Sequence, residues 1–437
     1  MSQQPVKWYL FKTQRFLPFF LVQFLAAFND NFFKNALIIL FTYKIAQTTI
    51  FSGAALIQIA GGVFILPFFL LTPIAGQIAD KYEKSLLIRL TKIAEIAISL
   101  FAFIGFWIND IYFLLAVLFL MGAHSAFFSP LKYSIIPQQL QDEELLSGNS
   151  FIEGSTYVSI LSGTAMGGVI VMMLSGYWLT PSIVLMIAIL GWWISKKIPI
   201  ARPGSPDLKI DWNVIKVAYQ LQRECTSNRE RGAAIYAISW IWVIASVLLY
   251  ALPAINKEVI HASAHVTSLM LFIFSVGLAC GSLIVNQFLK GQVTGRLTAS
   301  SVFLLGIVLF DLGWFIQHHV SVRTELVGIK EFLALSSPEW HLLITLFMIS
   351  CIAGFYLVPL YTLVQSLSAK AERARMISAL NVNNAFFMTL AAILSASFLD
   401  WSSDVIRRED SLSLIMYTMG IISFISAYPY HKRFKKE

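Results

Sequence analysis

The chain has 437 residues, of which 57% are hydrophobic and only 13% are charged. A soluble domain averages about 25% charged residues, so this composition excludes an ordinary soluble enzyme and indicates a polytopic membrane protein. The net charge of +8 comes from Lys and Arg residues spread over the gaps between apolar runs rather than from one basic patch. We therefore attribute the charge to membrane topology and expect no nucleic-acid partner.

Apolar runs of about 20 residues, the length that crosses a bilayer, occur twelve times along the chain. The first six predicted spans are Phe16–Tyr43, Gly53–Ala79, Leu86–Ile108, Ile111–Leu131, Gly148–Leu174 and Leu179–Ser195. The second six are Ala233–Ile255, Val266–Leu289, Leu297–Ile316, His341–Val364, Ile377–Leu399 and Leu412–Tyr428. Most of the 32 Lys and Arg residues lie on one side if both termini are cytoplasmic. The positive-inside rule therefore predicts cytoplasmic termini.

One long polar interruption separates the first six predicted spans from the second six. The chain is accordingly divided into an N-terminal bundle, a cytoplasmic linker and a C-terminal bundle, at residues 1–195, 196–232 and 233–437. Within the linker, Trp212, Ile215 and Tyr219 recur at helical spacing among charged and amide side chains, which favours an amphipathic helix at the membrane interface. A solvated linker without such a helix is the alternative.

The first predicted span carries a run of polar side chains where hydrocarbon is expected, namely Asn29, Asp30, Asn31, Lys34 and Asn35. A charged group at the centre of a bilayer costs about 3 kcal/mol, so these groups should face a protein interior or a watery cavity. Asp30 lies one helical turn before Lys34, close enough to pair with it. We predict that this run lines the central cavity of a transporter and handles its substrate. Alternatively, Asp30 and Lys34 only neutralise each other and fix helix packing.

The gap after the second span reads Gly76-Gln77-Ile78-Ala79-Asp80-Lys81-Tyr82-Glu83-Lys84-Ser85. This stretch resembles the signature of the major facilitator superfamily, in which a glycine is followed four residues later by an aspartate and then by basic residues. Glycine permits close helix approach, and the aspartate can bind the N-terminus of a neighbouring helix. The resemblance implies that Gly76, Asp80, Lys81 and Lys84 form a conformational latch, whereas a solvated charge run is the alternative.

Several blocks together resemble one family of that superfamily, the lysophospholipid transporters, including the transporter portion of bacterial fusions with acyltransferase and acyl-ligase domains. The blocks are Gln23–Asn31, Gly76–Asp80, Ser129–Tyr133, Gly148–Glu153, Ile160–Thr164 with Gly167 and Gly168, and Gly354 with Val358–Leu360. The resemblance implies an all-α membrane protein with twelve transmembrane helices and the major facilitator fold of two six-helix halves. It also implies a flippase that works by alternating access in a bacterial inner membrane.

The substrates implied by this resemblance are lysophospholipids such as lysophosphatidylethanolamine and lysophosphatidylglycerol, moved from the outer to the inner leaflet. A cytoplasmic acyltransferase or acyl-ligase is then a candidate partner, beside the membrane lipids themselves. The predicted substrate-binding residues are Asp30, Asn31, Lys34, Lys132, Asn149, Glu153, Asn381 and Asn384. Carboxylates suit an ammonium headgroup, lysines suit a phosphate, and amides donate hydrogen bonds.

Three buried acids outside the first span allow more than one interpretation. Glu153 could serve substrate or proton coupling, or it could pair structurally with Lys132. Glu95 follows Lys92 by three residues, and we expect a structural role for it. Asp311, in the ninth predicted span, lacks an evident partner in its own helix, so function and packing are equally open.

The sequence contains no Gly-x-x-x-x-Gly-Lys-Ser/Thr phosphate loop and no His-x-x-x-x-Asp acyltransferase motif, so we expect a transporter and not an enzyme. Cys225, Cys280 and Cys351 are too widely spaced to suggest a metal site or a disulfide framework, and no cofactor is expected. One alternative function is proton-coupled transport of a soluble metabolite, drug or siderophore. Another is a non-transporting subunit that docks an acyltransferase through the basic tail, His431–Lys436.

Overall fold

A computed structural model describes residues 6–40, 53–173, 175–319, 326–334, 337–402 and 405–434. The described residues form helices and contain no β-strand, and twelve of these helices have at least 20 residues. The predicted end of the first span at Tyr43 and the last residues of the basic tail, 435–437, lie outside the described residues.

In chain order the helices are α1 Leu17–Leu40, α2 Gly53–Lys81, α3 Lys84–Ile108, α4 Ile111–Gln139, α5 Leu145–Val171, α6 Gly176–Ser195, α7 Val214–Cys225, α8 Arg229–Ala254, α9 Ala264–Leu289, α10 Thr298–His318, α11 Ile329–Ala334, α12 Ser337–Ser366, α13 Arg373–Ser402 and α14 Arg408–Phe434. The twelve predicted spans coincide with all of these except the short helices α7 and α11. Ten of the described helices are long and apolar enough to cross a membrane. The other two long helices, α1 and α3, carry clusters of buried polar side chains.

Helix α4 shows why some predicted boundaries differ from the observed ones. The fourth span was expected to end at Leu131, where apolar residues give way to Lys132. The helix instead continues to Gln139 and contains both Pro130 and Pro137. Proline is tolerated in such helices when neighbouring elements satisfy the freed backbone groups, so a break in hydropathy does not end the helix.

The first of two compact units comprises residues 1–227 and 364–385, so the end of α12 and the first part of α13 pack with the N-terminal helices. Within this unit α1 pairs with α5, α2 with α4, and α3 with α6. A Cβ atom on Gly163 or Gly167 of α5 would overlap the backbone of Phe28 or Phe32 in α1. Small residues therefore permit the close approach of these two helices.

The second unit comprises residues 228–363 and 386–437. Here α10 pairs with α14. Helix α9 meets α12, where a Cβ atom on Gly281 or Gly354 would overlap the facing backbone. Counted among the long helices of this half of the chain, the second meets the fourth and the third meets the sixth, as in the first unit. The division of the chain at residues 195 and 233 stays a prediction.

The polar segment between α6 and α8 contains the amphipathic helix α7. Its Val217, Leu221 and Cys225 are buried. The apolar side chains on which the sequence prediction depended, Ile215 and Tyr219, are 83% and 73% exposed. The helix therefore has two apolar stripes, and the location of the exposed stripe at a membrane interface stays a prediction.

Candidate functional site

The polar run of α1 is divided between two sides of the helix. Asn29 and Asp30 are buried, whereas Asn31, Lys34 and Asn35 are half-buried. Residues three and four apart lie on one helix face, so the second group shares a less tightly packed side. An ammonium on that side of a membrane helix requires a polar partner or an open space.

Asp30 is bonded to α4 and not to Lys34. The Ser125 hydroxyl donates a hydrogen bond to Oδ2 of Asp30. The other carboxylate oxygen, Oδ1, is buried and has no hydrogen-bond partner among the described residues. Lys34 instead donates to Oδ1 of Asn31 at 3.0 Å, and its ammonium lies 5.1 Å from the centre of the Phe64 ring. The ion pair considered from the sequence is thus not formed within the described residues, and Asp30 retains an acceptor.

A second polar group joins α4, α5 and α1. Nζ of Lys132 donates to Oγ1 of Thr156 at 2.7 Å, and Thr156 donates to Oε1 of Gln23 at 3.1 Å. Gln23 in turn donates to the hydroxyl of Ser155 at 2.6 Å. Sequence reasoning missed Gln23 and Thr156 as members of this group. The only available signal was an amide inside an apolar run at Gln23, since a threonine in a helix usually bonds its own backbone.

Glu153 lies three residues before Thr156 on α5 and has a different partner. The phenolic hydroxyl of Tyr133 donates to Oε1 of Glu153 at 2.5 Å, and both side chains are buried. As far as the structure describes the chain, Glu153 and Lys132 form no direct ion pair, because Lys132 bonds to Thr156. The group therefore presents a carboxylate and an ammonium that are held by separate neutral residues.

The opposite side of α1 is closed by a buried ionic network. Nδ2 of Asn29 donates to Oε1 of Glu95 at 2.7 Å, and Nζ of Lys92 donates to Oε2 of Glu95 at 2.5 Å. His124 Nε2 lies 3.6 Å from the same Oε2. All four side chains are at most 5% exposed. The network ties α1, α3 and α4 together and fixes which side of α1 carries Asp30.

The N-terminus of α13 is capped by Asp80 of α2. Oδ1 of Asp80 accepts from the backbone N–H of Ala374 at 2.9 Å, and Oδ2 accepts from that of Arg375 at 3.1 Å. A helix N-terminus has unsatisfied N–H groups and a partial positive charge, so a carboxylate satisfies both. One turn earlier, a Cβ atom on Gly76 would overlap the side chain of Ser378. Glycine at position 76 therefore allows α2 and α13 to meet.

Three side-chain amides add to these contacts. We call the contacts of residues 364–385 with α2, α4 and α5 the junction cluster. Asn149 and Gln365 exchange two hydrogen bonds of 2.8 and 2.9 Å, and both are fully buried. Nδ2 of Asn381 donates to the hydroxyl of Ser129 at 2.8 Å. Both polar atoms of the Asn149 side chain are thus occupied in this conformation. A substrate could reach them only after the pair separates.

The remaining predicted residues lie near this cluster or within α13. Lys84 is fully buried at the start of α3, and the ammonium of Lys81 lies 5.7 Å from the centre of the Tyr82 ring. Asn384 is buried one turn after Asn381. Within the described ranges, no group of three or more His, Cys, Asp or Glu side chains could hold a metal ion.

Comparison with known proteins assigns the chain to a family. The sequence profile described as Major Facilitator Superfamily matches residues 19–317, more than half of the chain. The chain belongs to the Major Facilitator Superfamily. Two relatives bear the name lysophospholipid transporter LplT, one from Escherichia fergusonii and one from Escherichia coli O1:K1 / APEC. Each is 25% identical over 385 residues, which cover 84% of this chain and 85% of the relative. The resemblance stated from the sequence is thereby confirmed.

Solved structures confirm the fold of this major facilitator. The human organic anion transporter MFSD10 (TETRAN) superposes with a TM-score of 0.71 at 13% identity, covering 95% of this chain and 99% of that protein. The Escherichia coli fucose:proton symporter FucP superposes with a TM-score of 0.67 at 12% identity, covering 96% and 99%. At such identities the likeness shows the fold alone. The chain is therefore a multi-pass membrane protein with the all-helical major facilitator fold.

Proposed function

We propose that this major facilitator is a lysophospholipid transporter that moves lipids such as lysophosphatidylethanolamine and lysophosphatidylglycerol from the outer to the inner leaflet. The observation that carries the proposal is the likeness to proteins named lysophospholipid transporter over 84% of this chain and 85% of theirs. The polar groups of α1, α4 and α5 support it, because a zwitterionic lipid head requires both an acceptor and a cation.

Asp30 and Lys34 are the proposed centre of headgroup binding. Oδ1 of Asp30 has no partner among the described residues, so it can accept from an ammonium or a hydroxyl. Lys34 is half-buried and donates to the neutral amide of Asn31, so its ammonium can exchange that contact for a phosphate. Lys132 and Glu153 offer a second cation and a second acceptor, which bond to the neutral residues Thr156 and Tyr133. We propose that these groups receive the same headgroup in turn.

The junction cluster is proposed to be the latch of an alternating-access cycle. Asp80 caps α13 while Asn149 pairs with Gln365, so breaking the cluster exposes a helix terminus and two buried amides together. Such contacts favour two discrete arrangements over a gradual change. Separation would release Asn149 and Asn381, and we propose that these residues, with Asn384, meet the substrate in that second arrangement. Lys81 and Lys84 would contribute positive charge beside Asp80.

The proposed location is a bacterial inner membrane, with both termini in the cytoplasm and the junction cluster on the cytoplasmic side. Lysophospholipid delivered to the inner leaflet would then be available to a cytoplasmic acyltransferase or acyl-ligase. The transporter itself would carry out no covalent step.

A reconstitution assay tests the proposal. The full chain is placed in phospholipid vesicles, fluorescent lysophosphatidylethanolamine is added to the outer leaflet, and albumin then extracts whatever remains outside. We expect a growing fraction protected from albumin that protein-free vesicles lack. If the lipid is not moved while a proton gradient drives uptake of a soluble compound, the function is transport of soluble solutes and the proposal is wrong.

A further inference from the structure

A polar cluster joins two helices of the second unit, α10 and α12. Oδ2 of Asp311 in α10 accepts from Nε2 of His341 at 2.8 Å and from the hydroxyl of Thr345 at 2.8 Å, both in α12. Because the carboxylate is the acceptor, Nε2 carries the proton. Thr345 is buried, yet the side chains of Asp311 and His341 remain 39% and 34% exposed. The cluster thus links α10 to α12 by hydrogen bonds and is exposed on one side.

The open side of this cluster lies among exposed apolar side chains. On α10, Asp311 follows Ile307 by four residues and precedes Trp314 by three, and both neighbours are exposed. On α12, His341 lies between exposed Trp340 and Ile344. Both helices are long and apolar enough to cross a membrane, so an exposed apolar stripe on them faces hydrocarbon. Asp311 and His341 therefore lie at the membrane-facing surface.

Asp311 lies nearer to the C-terminal end of α10 than to its N-terminal end. Asp311 precedes the end of α10 at His318 by seven residues, or about 10 Å at the helical rise of about 1.5 Å per residue. The ring of Phe315 packs edge-on against His341, with ring centres 5.3 Å apart, which holds the imidazole in place. The carboxylate is therefore presented in a fixed orientation about two helical turns before the end of α10.

A carboxylate facing acyl chains lacks the water that would satisfy its remaining lone pairs. A carboxylate offers about four acceptor sites, and here His341 and Thr345 occupy part of them. Ionisable groups inside a membrane are costly and mark functional sites by default. A lipid that brings an O–H or N–H donor to this depth would satisfy the open acceptor, whereas the acyl region of a diacyl lipid has no such donor.

We propose that Asp311, positioned by His341 and Thr345, binds a hydrogen-bond donor of a lysophospholipid at the membrane-facing surface of α10 and α12. The donor is the free glycerol hydroxyl or the headgroup ammonium, and both use the same acceptor. This inference rests on the proposed function. If the donor is the glycerol hydroxyl, the site also distinguishes the substrate from bulk diacyl lipid before translocation. It differs from headgroup binding at Asp30 in lying on the second unit.

Photo-labelling tests the site without requiring transport. A benzophenone side chain replaces Ile344, one turn after His341, and the full chain is reconstituted in diacyl phosphatidylcholine vesicles. Radiolabelled lysophosphatidylcholine, lysophosphatidylethanolamine or diacyl phosphatidylcholine is then added at equal mole fraction and cross-linked. One net hydrogen bond of about 0.5–1.5 kcal/mol predicts labelling by lysophosphatidylethanolamine about 2- to 12-fold above the diacyl lipid. Asp311→Leu should abolish this preference.

The comparison of the two lysolipids identifies the hydrogen-bond donor. Equal preference for both lysolipids assigns the glycerol hydroxyl, since lysophosphatidylcholine has no ammonium proton, and preference for lysophosphatidylethanolamine alone assigns the ammonium. Ile307→Leu, on the same stripe, is the matched control and should keep the preference. Asp311→Asn, which retains an acceptor and its volume, should keep a reduced preference if Asp311→Leu fails to fold. Equal labelling by all three lipids, or a preference that Asp311→Asn and Asp311→Leu both leave unchanged, overturns the inference.

The outcome is independent of translocation. An unaltered chain that moves no lysolipid but shows the labelling preference would disprove the proposed function while supporting the site. A chain that moves lysophosphatidylethanolamine without any labelling preference would do the reverse.

Discussion

Asp30 and Lys34 lie one turn apart in α1 and yet contact different partners, Ser125 for the acid and Asn31 for the base. An ion pair between them would have satisfied both groups and left little capacity for a ligand. The observed contacts are with neutral groups, which a charged headgroup can replace at lower cost. At the residue scale, we therefore propose that Asp30 and Lys34 exchange these partners for a bound headgroup.

Asp30→Asn and Lys34→Ala should each reduce the rate of lysophosphatidylethanolamine flipping. A hydrogen bond to a charged group contributes about 1.5–3 kcal/mol, so we expect losses of about 10- to 150-fold. Albumin extraction from proteoliposomes measures the rate, and size-exclusion profiles check that the variants fold. Asn35→Ala is the matched control on the same helix, because Asn35 donates to the backbone of Thr164 and not to Asp30 or Lys34. Full activity of both charge variants would remove α1 from substrate binding.

The buried pair Lys92 and Glu95 supports stability and not substrate binding in our interpretation. Glu95→Ala leaves the Lys92 ammonium buried without its counter-ion, and breaking such a pair costs about 3–5 kcal/mol of unfolding free energy. The double variant Lys92→Met/Glu95→Leu removes both charges and should recover most of that loss. Denaturant unfolding in detergent compares the unaltered chain with these two variants. A double variant as unstable as Glu95→Ala would show that the ion pair is not the stabilising unit.

At the scale of elements, the decisive contact is the one that Asp80 makes with the N-terminus of α13. Arg375 also brings its side chain to within 3.4 Å of Oδ2 of Asp80 and to within 3.7 Å of Glu224 in α7. The Arg375 guanidinium thus contacts both Asp80 and Glu224 of α7. Nε2 of Gln222 donates to the backbone oxygen of Ala379 at 3.4 Å, so α7 contacts α13 at two points. We expect α7 to move with α13 when the junction cluster separates.

Removing the cap should loosen the junction cluster. Loss of a helix N-cap costs about 0.5–2 kcal/mol, so Asp80→Ala should raise the separated population about 2- to 30-fold. The probe is Ser378→Cys, fully buried beside Gly76, in a chain whose three native cysteines are replaced. Labelling of this thiol by a polar maleimide should accelerate with Asp80→Ala. Glu83→Ala, three residues after Asp80 and just before α3, should leave the labelling rate unchanged. An equal rate in both variants would contradict the latch.

At the scale of the whole molecule, charge distribution predicts orientation. With both termini cytoplasmic, most Lys and Arg residues lie on the cytoplasmic side, as the positive-inside rule requires. A fluorescent protein fused after the last residue should therefore fluoresce, and alkaline phosphatase fused there should be inactive. Fusions at residue 326, between α10 and α11, should show the opposite pattern. Active phosphatase at the C-terminus would contradict the proposed location of the junction cluster on the cytoplasmic side.

Sequence reasoning reached the membrane class, the long helices and the superfamily because each depends on local chemistry. Apolar runs identify spans whatever their neighbours are, and the loop from Gly76 to Ser85 carries its own pattern. The partners of charged side chains were less accessible. Asp30 was considered with Lys34 and Glu153 with Lys132, since sequence offers only nearby residues as partners, but Ser125 and Tyr133 are the ones bonded.

The sequence by itself determined which segments lie in hydrocarbon and which lie in water, because transfer of side chains into hydrocarbon depends on composition and run length. It therefore specified an all-helical membrane protein and marked α1 as the helix with costly polar groups. Only the tertiary structure decided which side of α1 holds Asp30, that Asp80 caps a helix 294 residues later, and that Asp311 meets His341. Those outcomes depend on helix rotation and pairing, which many long-range contacts set together and no local pattern records.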